Sequence, residues 1–164
     1  GQTLFVADTA VHEVLSAEQI ADISEQTAKV ARSLGHEPRV ALISYSNFGH
    51  PELPRAQVVR DAIELLDERN VSFEYEGEMT VEIALNPEVM KNYPFCRLKG
   101  PANVLIMPSL HTSQVSTQLL RELGGGTVLG PVLMGLSKPA QIVPMGTTVS
   151  DMVNMVALAA QGAD

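Results

Sequence analysis

Residues 40–51 read Val40-Ala41-Leu42-Ile43-Ser44-Tyr45-Ser46-Asn47-Phe48-Gly49-His50-Pro51, and the reading of this stretch decides the fold. Val40 to Ile43 is apolar without a break. A strand with one wet face would alternate, so an unbroken run predicts a strand buried on both faces, as in a parallel sheet covered by helices. The polar, glycine-containing segment that follows is a loop. On the N-terminal side, Ser16 is an N-cap with Gln19 at the capping-box position. Ile20, Ile23, Val30, Ala31 and Leu34 then recur at helical spacing, Glu25 and Lys29 form an i,i+4 pair, and Gly35 stands where a C′ glycine belongs. On the other side, a helix is predicted from about Pro54 to Arg69, with Val58, Val59, Ala62, Ile63 and Leu66 turned inward.

The alternation continues outward. Thr3 to Ala7 reads as a first strand ending at Asp8, and Val71 to Tyr75 as a third. Val81 to about Met90 is helical, ending near Asn86-Pro87 or restarting after it. Asn103 to Met107 is a buried strand stopped by Pro108-Ser109. The helix after it uses Val115, Leu119, Leu120 and Leu123 and stops at Gly124-Gly125-Gly126. Thr127 to Leu129 and Gln141 to Val143 are strand-like, and Ser150 is expected to cap a last helix to about Ala160. Strands alternating with helices mean βαβ units. The expected fold is a single α/β domain over residues 1–164, a three-layer αβα arrangement around a mostly parallel sheet. Ligands of such sheets sit beyond the carboxyl ends of the strands, here the loops after Ser44, Met107, Leu129 and Val143. The last helix is apolar almost all round, from Met152 to Ala160, and such a helix is buried on several sides. Its cover is a second copy, a further part of a longer chain, or the rest of this domain.

The 164 residues carry a formal net charge of −8, which argues against nucleic acid or an anionic membrane as partner. Hydrophobic residues at 45% exclude a disordered tail. A lone cysteine, Cys96, forms no internal disulfide and suits a reducing compartment. No apolar run approaches the ~18 residues of a membrane span, and residues 1–4 lack the features of a signal peptide. The expectation is a soluble cytoplasmic domain. Gly124-Gly125-Gly126-Thr127 lacks the Lys of a phosphate loop and precedes a strand, not a helix. His12, His36, His50 and His111 show no metal-ligand spacing. Cys96 is a nucleophile only if something lowers its pKa. Ser44, Ser46, Asn47 and Gly49 offer donors where an α/β sheet binds anions, or equally a turn that bonds its own backbone. Gly130-Pro131 through Gly135 to Lys138-Pro139 places one close-approach glycine beside one point charge for phosphate. Asp151, in the first turn of the last helix, is favoured there by the helix dipole alone.

Several of these segments, in order, resemble the phosphate acetyl/butyryltransferase family: Ala7-Asp8-Thr9-Ala10-Val11, Val40 to Ser46, Tyr75-Glu76-Gly77-Glu78-Met79, Ala102 to Leu110, and Gly130 to Pro139. The resemblance covers nearly the whole chain and about half of a family unit, implying its C-terminal portion. Ser46-Asn47-Phe48-Gly49 and the tail Val153 to Ala159 resemble the version fused behind an NADP-dependent malic enzyme.

The resemblance implies an acyl-CoA site made by Ser44, Ser46, Asn47, Gly49, Pro131, Met134, Gly135 and Lys138, with Met145 and Asp151 at the old reaction centre. Active members of the family carry Leu-Ser-Arg-Gly where this chain has Val143-Pro144-Met145-Gly146. Their Ser and Arg handle the CoA thiol and the phosphate, and an Asp matching Asp151 acts in proton removal. Pro144 has no hydroxyl and Met145 no charge. The implied role is an acetyl-CoA-binding regulatory and oligomerisation domain without transferase turnover. It needs no cofactor of its own, because NADP and a divalent metal belong to a malic-enzyme part outside this chain. Its implied partners are acyl-CoA, further copies of itself and that missing part. Two rival readings remain: a working phosphate acetyl- or butyryltransferase using Asp151 as base, and a purely structural self-association module.

Overall fold

The computed structural model describes residues 3–124 and 127–161. The chain divides into two compact units, one running to Ser116 and the other starting at Thr117. The first unit contains β1 (Phe5–Ala7), α1 (Ala17–Ser33), β2 (Arg39–Ile43), α2 (Pro54–Glu68), β3 (Glu74–Met79), α3 (Val81–Leu85), α4 (Pro87–Met90), β4 (Val104–Ile106) and the first turns of α5 (Leu110–Leu123). The four strands pair in the order β1-β4-β2-β3, and every pairing is parallel.

The apolar run at 40–43 is the middle of this sheet and is buried on both faces. Val40 and Leu42, with Val104 and Ile106 beside them, face α1 and α2 through Ile20, Ala28, Val59, Ile63 and Leu66. Ala41 and Ile43 face the other way, onto Ile83 and Ala84 of α3, Met90 of α4, Leu98 and Ala102. These two faces make the expected αβα layering. Each fully buried Leu or Ile here is worth about 1.5–3 kcal/mol of transfer free energy. Helix α1 starts as its sequence predicts: Gln19 N–H donates to Ser16 Oγ, and Ser16 N–H donates to Gln19 Oε1. Gly35 follows the helix with φ of +82°, the left-handed conformation that ends it.

Three expectations are corrected. The third strand lies at Glu74–Met79, not at Val71–Tyr75. Thr127–Leu129 and Gln141–Val143 form no strand. A strand leaves a row of unpaired amides unless a neighbour takes them, and among the described residues of the second unit no strand supplies that partner. The last helix, α6 (Val149–Gln161), is held at its start by Thr148 and not by Ser150: Asp151 N–H donates to Thr148 Oγ1 at 3.1 Å, and that hydroxyl donates back to Asp151 Oδ2 at 2.7 Å. Within α6 only Met155 of the large side chains is buried, while Val149, Met152, Val153 and Val156 are exposed. No described helix is long and apolar enough to cross a membrane.

Candidate functional site

Parallel pairing puts the carboxyl ends of all four strands on one edge of the sheet, so Asp8, the 44–50 loop, Thr80 and Met107–Ser109 all lie along that edge. The loop after β2 is the most elaborate of these segments. Ser44 and Ser46 are buried, and their hydroxyl oxygens lie 3.2 Å apart. Ser46 N–H donates to Ser44 Oγ, and Asn47 and His50 exchange backbone hydrogen bonds of 2.9 and 3.0 Å. The loop therefore bonds its own backbone and at the same time keeps two hydroxyls together at the sheet edge. Phe48 and Gly49 both have positive φ, +50° and +90°. Phe48 is held in that conformation by ring contacts to Tyr93 and Phe95, with centroids 5.2 and 4.9 Å away.

The end of β3 braces this loop. Ser44 N–H donates to Met79 O at 2.9 Å, Phe48 N–H to Glu78 O at 2.8 Å, and Thr80 N–H to Asn47 Oδ1 at 2.8 Å. Gly49 N–H donates to Glu78 Oε1 at 3.0 Å. The Glu78 side chain is 0% exposed and pairs with Arg60 Nη1 at 2.8 Å. Arg60 Nη2 also donates to Gln57 Oε1, and both residues line a depression of about 280 Å³ with Glu52, Leu53 and Pro54 at the start of α2. Neither Glu78 nor Arg60 stands out in the sequence as a site residue. The residues before it, Glu74-Tyr75-Glu76-Gly77, look polar, so no local signal marks Glu78 as buried; its partner Arg60, 18 residues away, is what a buried charge needs.

At the end of β1, Asp8 closes a tight turn. Its carboxylate accepts N–H bonds from Ala10 and Val11 on Oδ1 and from His12 on Oδ2, and His12 Nδ1 lies 2.7 Å from Oδ2. Burial works against the charge, but these hydrogen bonds outweigh it and hold the Asp8 carboxyl below its ordinary value of 3.8. A depressed carboxylate contributes stability that is fully present above the unfolded value and lost as pH falls through the folded one. Asp8→Ala is therefore expected to cost about 1.5–3 kcal/mol at pH 7. The gap to wild type should close in urea melts as pH drops below about 4.

Cys96 sits in the segment between α4 and β4 and packs on the cluster that includes Ala41, Ile43 and Met79. Burial, helped by the charge of Glu76, pushes its thiol up, away from nucleophile chemistry. The adjoining Arg97 pins that segment. Its Nη1 donates to Asp67 at 2.6 Å, its Nε to Glu76 at 3.3 Å, and its guanidinium lies 4.6 Å over the Tyr75 ring. Among the described residues there is no group of three or more His, Cys, Asp or Glu side chains that could hold a metal ion.

In the second unit, Gln141 closes the 133–141 segment into a loop: Leu133 N–H donates to its Oε1 at 2.8 Å, and its Nε2 donates to Leu133 O at 3.1 Å. Met134, Gly135 and Lys138 lie within this loop and Pro131 just before it, with Gly135 at φ +76° and Lys138 exposed. The next turn is closed on Pro144 O, which accepts from both Thr147 N–H and Thr147 Oγ1. Met145 is exposed at its tip. Of the residues expected to contact ligand, Ser44, Ser46, Asn47 and Gly49 thus share one loop of the first unit. Pro131, Met134, Gly135, Lys138, Met145 and Asp151 belong to the second.

These folds and loops are those of a known class. Residues 1–160 match the family model described as phosphate acetyl/butaryl transferase, and the chain belongs to that family. It is 53% identical over 99% of its length to an NADP-dependent malic enzyme of Rhizobium meliloti, covering 21% of that protein. It is 36% identical over 92% of its length to a phosphate acetyltransferase of Treponema pallidum, covering 46% of that one. Among solved structures, the EutD phosphotransacetylase from Staphylococcus aureus superposes with a TM-score of 0.90 at 30% identity, over 98% of this chain and 51% of that one. The chain therefore spans about a fifth of its malic-enzyme relatives and about half of the transferases.

Proposed function

We propose that this chain is the acyl-CoA-recognising, regulatory and oligomerisation portion of an NADP-dependent malic enzyme, and that it binds acetyl-CoA without transferring the acetyl group to phosphate. The observation that carries this reading is the chemistry of residues 144–151. Transfer to phosphate needs a group to orient the thiol and a cation to clamp the phosphate. Pro144 and Met145 supply neither, and the Asp151 carboxylate is engaged by the Thr148 hydroxyl in starting α6. The 53% identity to a malic enzyme supports the same choice over a working transferase.

In this reading the acyl-CoA contacts in the first unit are Ser44, Ser46, Asn47 and Gly49, and those in the second are Pro131, Met134, Gly135, Lys138 and Met145. NADP and a divalent metal are bound elsewhere in the parent polypeptide, in the cytoplasm. The exposed apolar residues of α5 and α6, Leu119, Leu123, Val149, Val153 and Val156, are covered by the half of the family unit that this chain does not span. Self-association then supplies the quaternary states that acetyl-CoA must bind unequally if it is to regulate.

Titration calorimetry on the intact polypeptide tests recognition. Acetyl-CoA is expected to bind saturably, and Lys138→Ala to weaken it about tenfold through loss of one charge-assisted contact. Absence of binding by the intact polypeptide would favour the purely structural module.

A further inference from the structure

We infer that Glu78 is the positioning residue of the 44–50 loop and that, given the acyl-CoA reading above, it sets how tightly this loop holds its ligand. Its main-chain oxygen takes Phe48 N–H and its Oε1 takes Gly49 N–H, so one residue fixes both consecutive amides of the left-handed turn. Its neighbour Met79 accepts from Ser44 N–H on its main-chain oxygen, and Thr80 N–H donates to Asn47 Oδ1. The loop is thus held at four points by three residues, and only one of those contacts, Gly49 on Oε1, depends on a charged side chain. That side chain is buried without remainder, and its second oxygen, Oε2, has no hydrogen-bond partner.

A strand residue that only filled the core would be apolar, with no orphaned acceptor to carry. A carboxylate does what an apolar residue cannot: one oxygen serves the Gly49 amide and the Arg60 guanidinium together, tying the loop to α2. Gly49 is the flexible member of the turn, with open space where a side chain would project. Without an acceptor for its N–H, the peptide plane between Phe48 and Gly49 is free to rotate. The Ser44 and Ser46 hydroxyls belong to the same loop, so their placement toward a ligand depends on that plane being held.

The test uses the intact polypeptide with Glu78→Met, Glu78→Gln and, as a control away from the loop, Arg69→Ala, whose guanidinium pairs with Asp22 and Glu25 of α1. Amide exchange over residues 46–50 and the acetyl-CoA Kd are measured where melting curves show each variant folded. Glu78→Met is expected to speed exchange at Phe48 and Gly49 about tenfold beyond any change elsewhere and to raise Kd about tenfold, with Glu78→Gln recovering most of both because it keeps an acceptor. Arg69→Ala should leave both readouts within about twofold whatever its melting temperature, because its partners lie on α1 and not on the loop. If Glu78→Met does not fold, Glu78→Asp replaces it; its carboxylate is drawn back by one methylene, and faster exchange at Gly49 is again expected. Wild-type exchange at Gly49 in Glu78→Met, or in Glu78→Asp where that replaces it, or a faster exchange with an unchanged Kd, overturns the inference. Should wild type bind no acetyl-CoA, the acyl-CoA reading and the ligand half of this inference fail together, while the exchange result alone decides whether Glu78 positions the loop.

Discussion

Arg60→Met is expected to destabilise the protein by about 3–5 kcal/mol, because it leaves the Glu78 carboxylate buried and without its cation. The remaining support, one amide from Gly49 at 3.0 Å, cannot replace a guanidinium at 2.8 Å. Glu78→Gln is expected to cost less, about 1–2 kcal/mol, since the amide oxygen still accepts from Gly49 and the released Arg60 is exposed enough to find water. The double variant should be more stable than Arg60→Met alone, because no charge then stays inside. Urea melts of the four proteins at pH 7 form a cycle whose coupling energy reads the pair directly. Equal losses in the two single variants, with simple addition in the double, would mean the pair is incidental.

Gly77→Val is the second large effect. Gly77, on the edge strand β3, is paired with Leu42 of β2, and a Cβ built on it would lie 2.8 Å from both Leu42 O and Leu42 Cβ. Backbone cannot move aside as a flexible side chain would, so strands β2 and β3 must separate. That separation disturbs the Ser44 to Met79 hydrogen bond and the bracing of the 44–50 loop beyond it. The expected loss is about 3 kcal/mol, the upper end of overpacking effects, with Gly77→Ala somewhat milder. Thermal unfolding followed by circular dichroism measures both, and a Gly77→Val protein melting within a few degrees of wild type would contradict the close approach.

The elements easiest to read were those whose signal is local. Ser16 and Gln19 announce the start of α1, Gly35 its end, and the run at 40–43 a strand covered on both faces, all as the structure has them. Strand β3 was displaced because its sequence, Glu74-Tyr75-Glu76-Gly77-Glu78-Met79, looks polar. Glu76 and Glu78 point inward only because Arg97 and Arg60, distant in sequence, meet them. The same long-range pairing hid the residues that brace the candidate loop. The apparent strands at 127–129 and 141–143 failed for another reason: their side chains favour extended structure, but a strand exists only beside another, and chain composition carries no record of that neighbour. Thr148 won over Ser150 because Asp151, three residues on from Thr148, completes a reciprocal cap.

On the proposed reading, acyl-CoA recognition persists in this chain while the chemistry of transfer does not. The most direct measurement is formation of acetyl phosphate from acetyl-CoA and inorganic phosphate by the intact polypeptide, followed through release of the CoA thiol. No release above the uncatalysed background is expected, even at acetyl-CoA concentrations that saturate binding. Sustained turnover that disappears in Asp151→Asn would show that residues 144–151 still carry the reaction and would contradict the account.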